Sequence, residues 1–452
     1  MSILSRNGAR VTRRAVLAAG GAAGMAGALT ACGGSEGGAA PVSAAAGKVT
    51  YLSQSAGGDA RQEQETALFN DFSKQNGKVT VDVVVVGPGG GGAAKEKFIV
   101  SAAGGQPLDI VQNSWGVWTD LSEGSVITEL TPYFKRDKIN LADFFEGAIQ
   151  AYTVDGKTWA EPVSVSSDAL FYNADLFRAA GLPEPPQNPE DKTWTMEKFL
   201  EVAQKLTRGT DQYGHGAGVS SFNNEGLSCG SYFGQQAWDD AKRKCLMDQT
   251  NSIKGLQYFQ DLIWKQRVAP SGAQATALRG SAANVMYTGK IAMNQVGPFN
   301  PPKLDFKWGI AALPYSGSGK NQSARIWPHG LHVVKGKTAD AAWEVLKWLS
   351  KPENGGRFPL TAGHAVSPLL KGGSDIAQKT YQQTHGVDPK AFALQAINTK
   401  PAGNGLLRYK VWPDISKELL PQYTQVQNNE MSVGEFAKRA TEVIDRLAGS
   451  GK

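Results

Sequence analysis

Apolar and polar positions change period along this chain, and the changes mark its elements. The stretch KVTYLSQSAGGDARQEQETALFNDFSKQNGKVTVDVVVVG reads as strand, helix, strand. Val79, Val81, Val83 and Val85 alternate, and the β-branched run from Val83 to Val86 predicts burial on both faces, as in a parallel sheet. LDIVQN, ALFYN, KIAMNQV, FKWGIAALP and GLHVVKG are further strand-like pieces, with helical stretches between them. In TMEKFLEVAQKLTRG, Phe199, Val202, Ala203 and Leu206 share one helical face, with Thr195 as N-cap and Gly209 just past the end. Ala342, Val345, Leu346 and Leu349 repeat that spacing, and Pro352 stops the helix. The last helix opens on a capping box, Ser432 and Glu435, and predicts a buried face of Phe436, Ala440, Val443, Ile444 and Leu447 before Gly449. Strands alternating with helices make the fold class α/β. The Pro-rich GLPEPPQNPEDKTW reads as a loop rather than a linker, because helix-forming sequence flanks it.

The N-terminus follows another pattern. Arg6, Arg10, Arg13 and Arg14 precede an apolar run from Ala15 to Ala31 that Gly20, Gly21, Gly24 and Gly27 interrupt. A membrane span needs about 20 strongly apolar residues, so this run is a poor span and a good secretion signal. Arg13-Arg14 gives it a twin-arginine character. Leu29-Thr30-Ala31-Cys32 resembles the lipobox of bacterial lipoproteins, which implies cleavage before Cys32 and lipidation of its sulfur. Residues 1–31 are thus expected to be a signal peptide and residues 32–47 a flexible Gly/Ala/Ser-rich tether.

Without signal and tether, about 400 residues remain, more than one core usually serves, so two lobes are expected. The formal charge of +6 falls to +2 when the four signal arginines are removed. Basic residues are dispersed, which argues against nucleic acid as a partner. Cys229 and Cys245, 16 positions apart in polar, loop-like sequence of an exported chain, read as one disulfide. A zinc site would want a His or a second Cys at ligand spacing, and neither cysteine has one.

Candidate catalysts are few. GPGGGGAAKEKF lacks the Lys-Ser/Thr ending of a phosphate cradle and reads as a mobile strand-to-helix loop. No zinc helix or nucleophile elbow is found, and His329 and His332, three apart, lie in sequence that looks extended. No cofactor or metal site is implied. Aromatic residues do fall among amides, hydroxyls and glycines at predicted strand ends, in QNSWGVW, GPFNPP, IWPHG and LRYKVWP. Open α/β sheets bind ligands at the carboxyl ends of their strands. A flat ring can lie on the CH face of a sugar while amides and carboxylates take its hydroxyls.

These phrases, in this order, resemble the extracellular solute-binding proteins of ABC importers, family 1, the maltose-binding-protein-like group. LDIVQNSWGVWTDLSEGSVITELTPYF, ALFYNADLFRAAGL with its following TW, KIAMNQVGPFN and GLHVVKGKTADAAWEVLKWL carry the resemblance over nearly the whole mature body. It implies a two-lobed periplasmic-binding-protein-like fold of the class II type, with a ligand cleft between lobes and three hinge crossings. The crossings are expected near Pro162 to Asp168, Val296 to Asn300 and His329 to Val334. Residues 48–165 with 297–329 would form the N-terminal lobe, and 166–296 with 330–452 the C-terminal lobe.

The resemblance also implies ligand contacts at Ser53, Gln54 and Ser55, at Asn113, Ser114 and Trp115, and at Asp168 on the first crossing. Phe299 stands where the family commonly stacks a tryptophan, and Trp327, His329, Arg408 and Trp412 complete the set. The implied protein is a monomeric receptor, not an enzyme, tied by lipid to the outer face of the cytoplasmic membrane. It would close on a sugar or oligosaccharide and present it to ABC permease subunits. A secreted lipoprotein hydrolase or lyase acting on polysaccharide is the rival. A sugar phosphate or phosphorylated polyol is the alternative cargo, which Arg325, His329 and Arg408 would suit.

Overall fold

The structure, a computed structural model, describes residues 46–54, 58–86, 90–104, 108–114, 126–154, 156–216, 227, 229–239, 242–282, 284–296, 303–315, 326–361, 366–370, 372–398 and 411–448. The expected signal peptide, Cys32 and most of the expected tether lie outside the described residues.

The first half opens with β1 (Gly47–Ser53), α1 (Gly58–Asn76), β2 (Val79–Val85), α2 (Gly90–Ala103) and β3 (Ile110–Ser114). Later come β4 (Glu161–Ser167), β5 (Ala169–Asn173), α3 (Met196–Leu206), β6 (Tyr213–His215), α4 (Thr250–Trp264) and α5 (Gly272–Arg279). β7 (Ile291–Val296), β8 (Trp308–Ala311), β9 (Ile326–Val333) and α6 (Ala339–Leu349) follow. The chain ends in α7 (Gly373–His385), α8 (Lys390–Asn398), α9 (Trp412–Gln427) and α10 (Val433–Ala448).

Two sheets organise these elements. The first has five strands in the order β2-β1-β3-β9-β4, the second four in the order β8-β5-β7-β6. β1 pairs in parallel with β2 and β3, while β9 runs antiparallel to β3 and β4. Successive side chains of β1 serve opposite faces: Tyr51 faces a core that includes Phe69, Phe72, Trp343 and Leu346, and Leu52 faces one that includes Phe98, Val111 and Tyr152. The valine run of β2 falls short of the burial expected on both faces: Val86 is buried, but Val83, Val84 and Val85 are only half-buried, Val83 and Val84 against opposite cores. On the second sheet, Leu170 and Tyr172 face a core that includes Phe199, Phe259, Tyr423 and Phe436.

The helices follow their apolar faces. Thr195 accepts the Lys198 amide at 3.2 Å as N-cap of α3, whose Phe199, Val202, Ala203 and Leu206 are buried. Ser432 accepts the Glu435 amide at 3.2 Å, and Phe436, Ala440 and Ile444 of α10 are buried. Val443 and Leu447 are only partly buried against the same core. α2 departs from expectation: the helix begins inside the glycine run, at Gly90, and buries Ala94 and Phe98 one turn apart. The i, i+4 apolar pair outweighs the low helix propensity of a first turn made of glycine.

Sheet membership corrects the expected lobe boundaries. β8 pairs with β5, so residues 308–311 belong to the second sheet and not to the N-terminal lobe. β9 lies wholly in the first sheet, and Trp343 to Leu349 of α6 fill the first core, so the chain past residue 330 does not pass at once into the C-terminal lobe. Strand periodicity reports a pleat with one or two buried faces. It carries no information on which partner supplies the ladder. Asp168 alone separates β4 from β5, and the next passage between sheets falls between Ala311 and Ile326. A seam of Val165, Ala169, Ile310, Ile326, Tyr381 and Phe392 packs across this region before α9 and α10 rejoin the second core.

The expected disulfide is also corrected: Cys229 and Cys245 are both buried thiols. Cys229 opens a short 3-10 turn, Cys229–Phe233, pressed against α4, whereas Cys245 lies on a two-residue strand with its amide donated to Asp445 Oδ1 at 2.6 Å. Each is placed by its own packing. A sequence separation that suits loop closure does not set the Cβ geometry a disulfide needs.

Candidate functional site

The single-residue crossing decides where a ligand would meet both lobes. β4 ends and β5 begins on either side of Asp168, and β7 and β8 run antiparallel to β5. The carboxyl ends of β1, β3, β6, β7 and β8 therefore face the same interlobe region, the place where open α/β sheets hold ligands.

On the first wall, the buried Gln112 of β3 is a hub. Its Oε1 lies within reach of four donors: Tyr51 Oη at 3.0 Å, Gln54 N at 3.1 Å, Arg61 Nη2 at 3.1 Å and Ser53 Oγ at 3.4 Å. Arg61 also donates from Nε to Glu65 Oε1 at 3.0 Å, and its Nη2 stands 2.8 Å from the same oxygen. Both side chains are buried, and burial raises the Glu65 pKa against the pull of the Arg61 charge. Glu65 Oε2 and Asn113 Oδ1 are buried acceptors without a partner among the described residues. Tyr152 Oη, 2.8 Å from Pro328 O and 3.1 Å from Asn113 O, ties the end of β3 to the start of β9. His329, paired with Ser114 and Ser164, has a half-buried ring, and desolvation followed by the Arg61 charge lowers its pKa. Its imidazole is therefore neutral at neutral pH.

On the second wall, Asp168 is 1% exposed and its Oδ2 accepts Gln295 Nε2 at 2.9 Å. Tyr232 donates its hydroxyl to Gln295 Oε1, which extends the chain of bonds into the second lobe. His215, at the end of β6, stands edge-on to Phe199 with ring centroids 5.2 Å apart, and its Nδ1 has no hydrogen-bond partner among the described residues. His215, Tyr232, Gln295, Leu170 and Pro314 line a small gap of about 10 Å³, room for roughly one water.

Burial lowers the His215 pKa from 6.5 to about 4. A depressed imidazole stabilises the fold above the unfolded value, and that stability is lost as pH falls from about 6.5 to about 4. Glu65 and Glu161, whose pKa values burial raises, act with the opposite sign, so the comparison must isolate the histidine. Relative to His215→Gln, the wild type is expected to lose about 2 kcal/mol of unfolding free energy between pH 8 and pH 5, read by urea denaturation. A pH-independent difference would contradict a neutral, buried His215.

Of the residues expected to bind ligand, Ser53, Gln54, Asn113, Asp168 and His329 are described together around this crossing. Ser114 and Trp327 contribute described backbone in β3 and β9, and Trp412 begins α9, but their side chains lie outside the described set. Ser55, Trp115, Phe299, Arg325 and Arg408 also lie outside the described residues. Arg61, Glu65, Gln112, His215, Tyr232 and Gln295 were not foreseen. The i, i+4 spacing of Arg61 and Glu65 was visible, but such a pair reads as a solvated helix face. Among the described residues, no group of three or more His, Cys, Asp or Glu could hold a metal ion.

A sequence profile described as bacterial extracellular solute-binding protein matches residues 58–356. The sn-glycerol-3-phosphate-binding periplasmic protein of Escherichia coli is 24% identical over 343 residues, covering 68% of this chain and 73% of that protein. The ABC substrate-binding protein of Listeria monocytogenes solved with cycloalternan superposes with a TM-score of 0.72 at 21% identity, covering 89% of this chain and 99% of that one. UgpB of Mycobacterium tuberculosis in complex with glycerophosphocholine gives 0.70 at 19% identity, with 89% and 99% covered.

Proposed function

This chain belongs to the bacterial extracellular solute-binding protein family, and from that premise we propose that it captures a sugar or oligosaccharide between its lobes for an ABC importer. The observation that carries the ligand class is the first wall. The Arg61 charge is met by Glu65, and what remains around Gln112 is a set of amide and hydroxyl groups with a neutral His329. Such a wall suits an uncharged, hydroxyl-rich guest, because desolvating a polar ligand is offset only by hydrogen bonds of matching geometry. Across the crossing, Asp168 and Gln295 supply an acceptor and an amide already oriented by their mutual bond. A ligand touching both walls binds the closed arrangement more tightly than the open one and shifts the population toward it.

The cargo named for the Escherichia coli and Mycobacterium tuberculosis relatives supports a second reading, a glycerol phosphate or phosphodiester. It would require cations beyond Arg61, with Arg325 and Arg408 the candidates. A polysaccharide hydrolase would require two carboxyl groups at reacting distance across the cleft. Glu65 and Asp168 are instead each engaged by a neighbouring side chain.

The protein works outside the cytoplasm, as its family does. We further propose that Cys32 carries the lipid anchor, that the chain acts as a monomer, and that the closed lobes present ligand to the permease subunits. Thermal-shift screening of sugars, oligosaccharides, glycerol 3-phosphate and glycerophosphocholine tests the ligand class. A ligand at 100 times its Kd adds about 2.7 kcal/mol of stability. The expected result is a shift with a neutral saccharide. A shift confined to the phosphorylated compounds would replace this reading with the second, and no shift alongside release of products from polysaccharide would overturn both.

A further inference from the structure

The interlobe cleft lies at the carboxyl ends of the strands. At the other end of β6, where α3 and α4 terminate, the second lobe has a separate groove of about 610 Å³ that shares no lining residue with the cleft network. Its volume is that of a small-molecule site. Trp264 stands on its rim 42% exposed, the one aromatic among the exposed large apolar side chains of the described residues. The indole is held in place: Nε1 donates to Gln427 O at 2.9 Å, fastening the end of α4 to the end of α9. Part of the ring surface stays open to solvent on a rigid mount.

The groups around it are planar amides, a hydroxyl and a cation. Gln204 donates from Nε2 to Gln266 Oε1 at 3.0 Å, which joins the last turn of α3 to the loop after α4 and leaves each amide with further bonding capacity. Thr210 and Arg267 are exposed on the lining. Arg267 has φ 54°, in the left-handed region that costs a residue with a Cβ, and its guanidinium takes no ion pair among the described residues. The turn that imposes this is bonded on either side of Arg267: Gln266 N to Asp261 O at 2.7 Å, then Val268 N to Leu262 O at 2.9 Å.

We propose that this groove is a second saccharide-binding site, with Trp264 as the platform under a sugar ring and Gln204, Gln266, Thr210 and Arg267 as partners of its hydroxyls. The site is independent of the cleft ligand. Its saccharide is either a free oligosaccharide or a chain of the cell-wall glycan, which share this chemistry, and the probes separate the two sources. Maltohexaose and cellohexaose are titrated calorimetrically against the wild type, Trp264→Ala, Trp264→Phe and Thr210→Trp, and purified peptidoglycan sacculi are used in co-sedimentation. Circular dichroism checks folding, and Thr210→Trp fills the groove from an exposed turn that tolerates bulk.

The expected result is binding of at least one probe that Trp264→Ala and Thr210→Trp each weaken about tenfold or more, while Trp264→Phe retains most of it. A hexasaccharide response identifies a free oligosaccharide, and a response to sacculi alone identifies the wall. Failure of all three probes to bind the wild type, or binding unchanged in both Trp264→Ala and Thr210→Trp, would overturn the assignment.

Discussion

Gln112→Leu is expected to abolish ligand-induced stabilisation and to lower the melting temperature by roughly 5–10 °C. Leucine keeps the bulk but removes the oxygen toward which Tyr51, Gln54, Arg61 and Ser53 converge. A buried donor left without its acceptor costs about 1–3 kcal/mol, more where the donor is charged, and Arg61 is charged and 8% exposed. The loss spreads to function through position. Ser53, Gln54 and Arg61 sit on the strand and helix that meet at the first wall, and the Gln112 amide fixes their relative placement. Differential scanning fluorimetry, with and without the best ligand of the screen, reads both effects in one experiment. A variant that melts and responds to ligand like the wild type would show that the hub contributes to neither.

The second large effect belongs to Gly255. α4 crosses the 3-10 turn with backbone against backbone: a Cβ at Gly255 would lie 2.1 Å from Cys229 O and 2.3 Å from Cys229 C. These are backbone atoms that no rotamer change can clear. Gly255→Val must drive the helix off the turn that carries Tyr232, and with it the hydroxyl bonded to Gln295. Overpacking of this kind costs about 3 kcal/mol or more. The expected outcome is a destabilised protein in urea unfolding with weakened ligand response, because Gln295 loses one of the bonds that orient it toward Asp168. Gly434→Ala is the control. Nothing lies within 4 Å of its added Cβ, and the helix gains propensity, so stability is expected to hold or rise by up to about 1 kcal/mol. Similar behaviour of the two variants would refute the close approach as the cause.

How far the molecule is legible in its sequence depends on the range of the interaction. Thr195 as a cap and the buried face from Phe199 to Leu206 are consequences of local periodicity, and they are present in the fold, whereas the valine run of β2 is only half-buried from Val83 to Val85. The glycine run was harder, because low helix propensity at Gly90 was outweighed by Ala94 and Phe98 finding a core. Residues 308–311 are recognisable as a strand, but pairing is a long-range choice that the pleat does not encode, so their place beside β5 is not legible in the sequence. The same limit applies to Cys229 and Cys245, buried in one core as thiols, because separation along the chain does not set the geometry a disulfide needs.

The site divides in the same way. Ser53, Gln54, Asn113 and Asp168 come from the family resemblance as implied ligand contacts, and they lie at the ends of β1, β3 and β4. The resemblance does not supply the residues that orient them. Arg61 and Glu65 form the i, i+4 charge pair of an ordinary exposed helix, and only the closure of β1, β3 and α1 around Gln112 buries them. Gln295 reads as part of a strand, and its contact with Asp168 spans 127 positions.

The central claim is that the lobes grip one hydroxyl-rich ligand from both sides of the Asp168 crossing. The direct measurement is a crystal structure of the complex with whichever compound raises the melting temperature most. The account predicts ligand oxygens within hydrogen-bond distance of the Gln112-centred wall and of the Asp168–Gln295 pair in the same molecule. A ligand seated on one lobe alone, or outside the crossing, would contradict it.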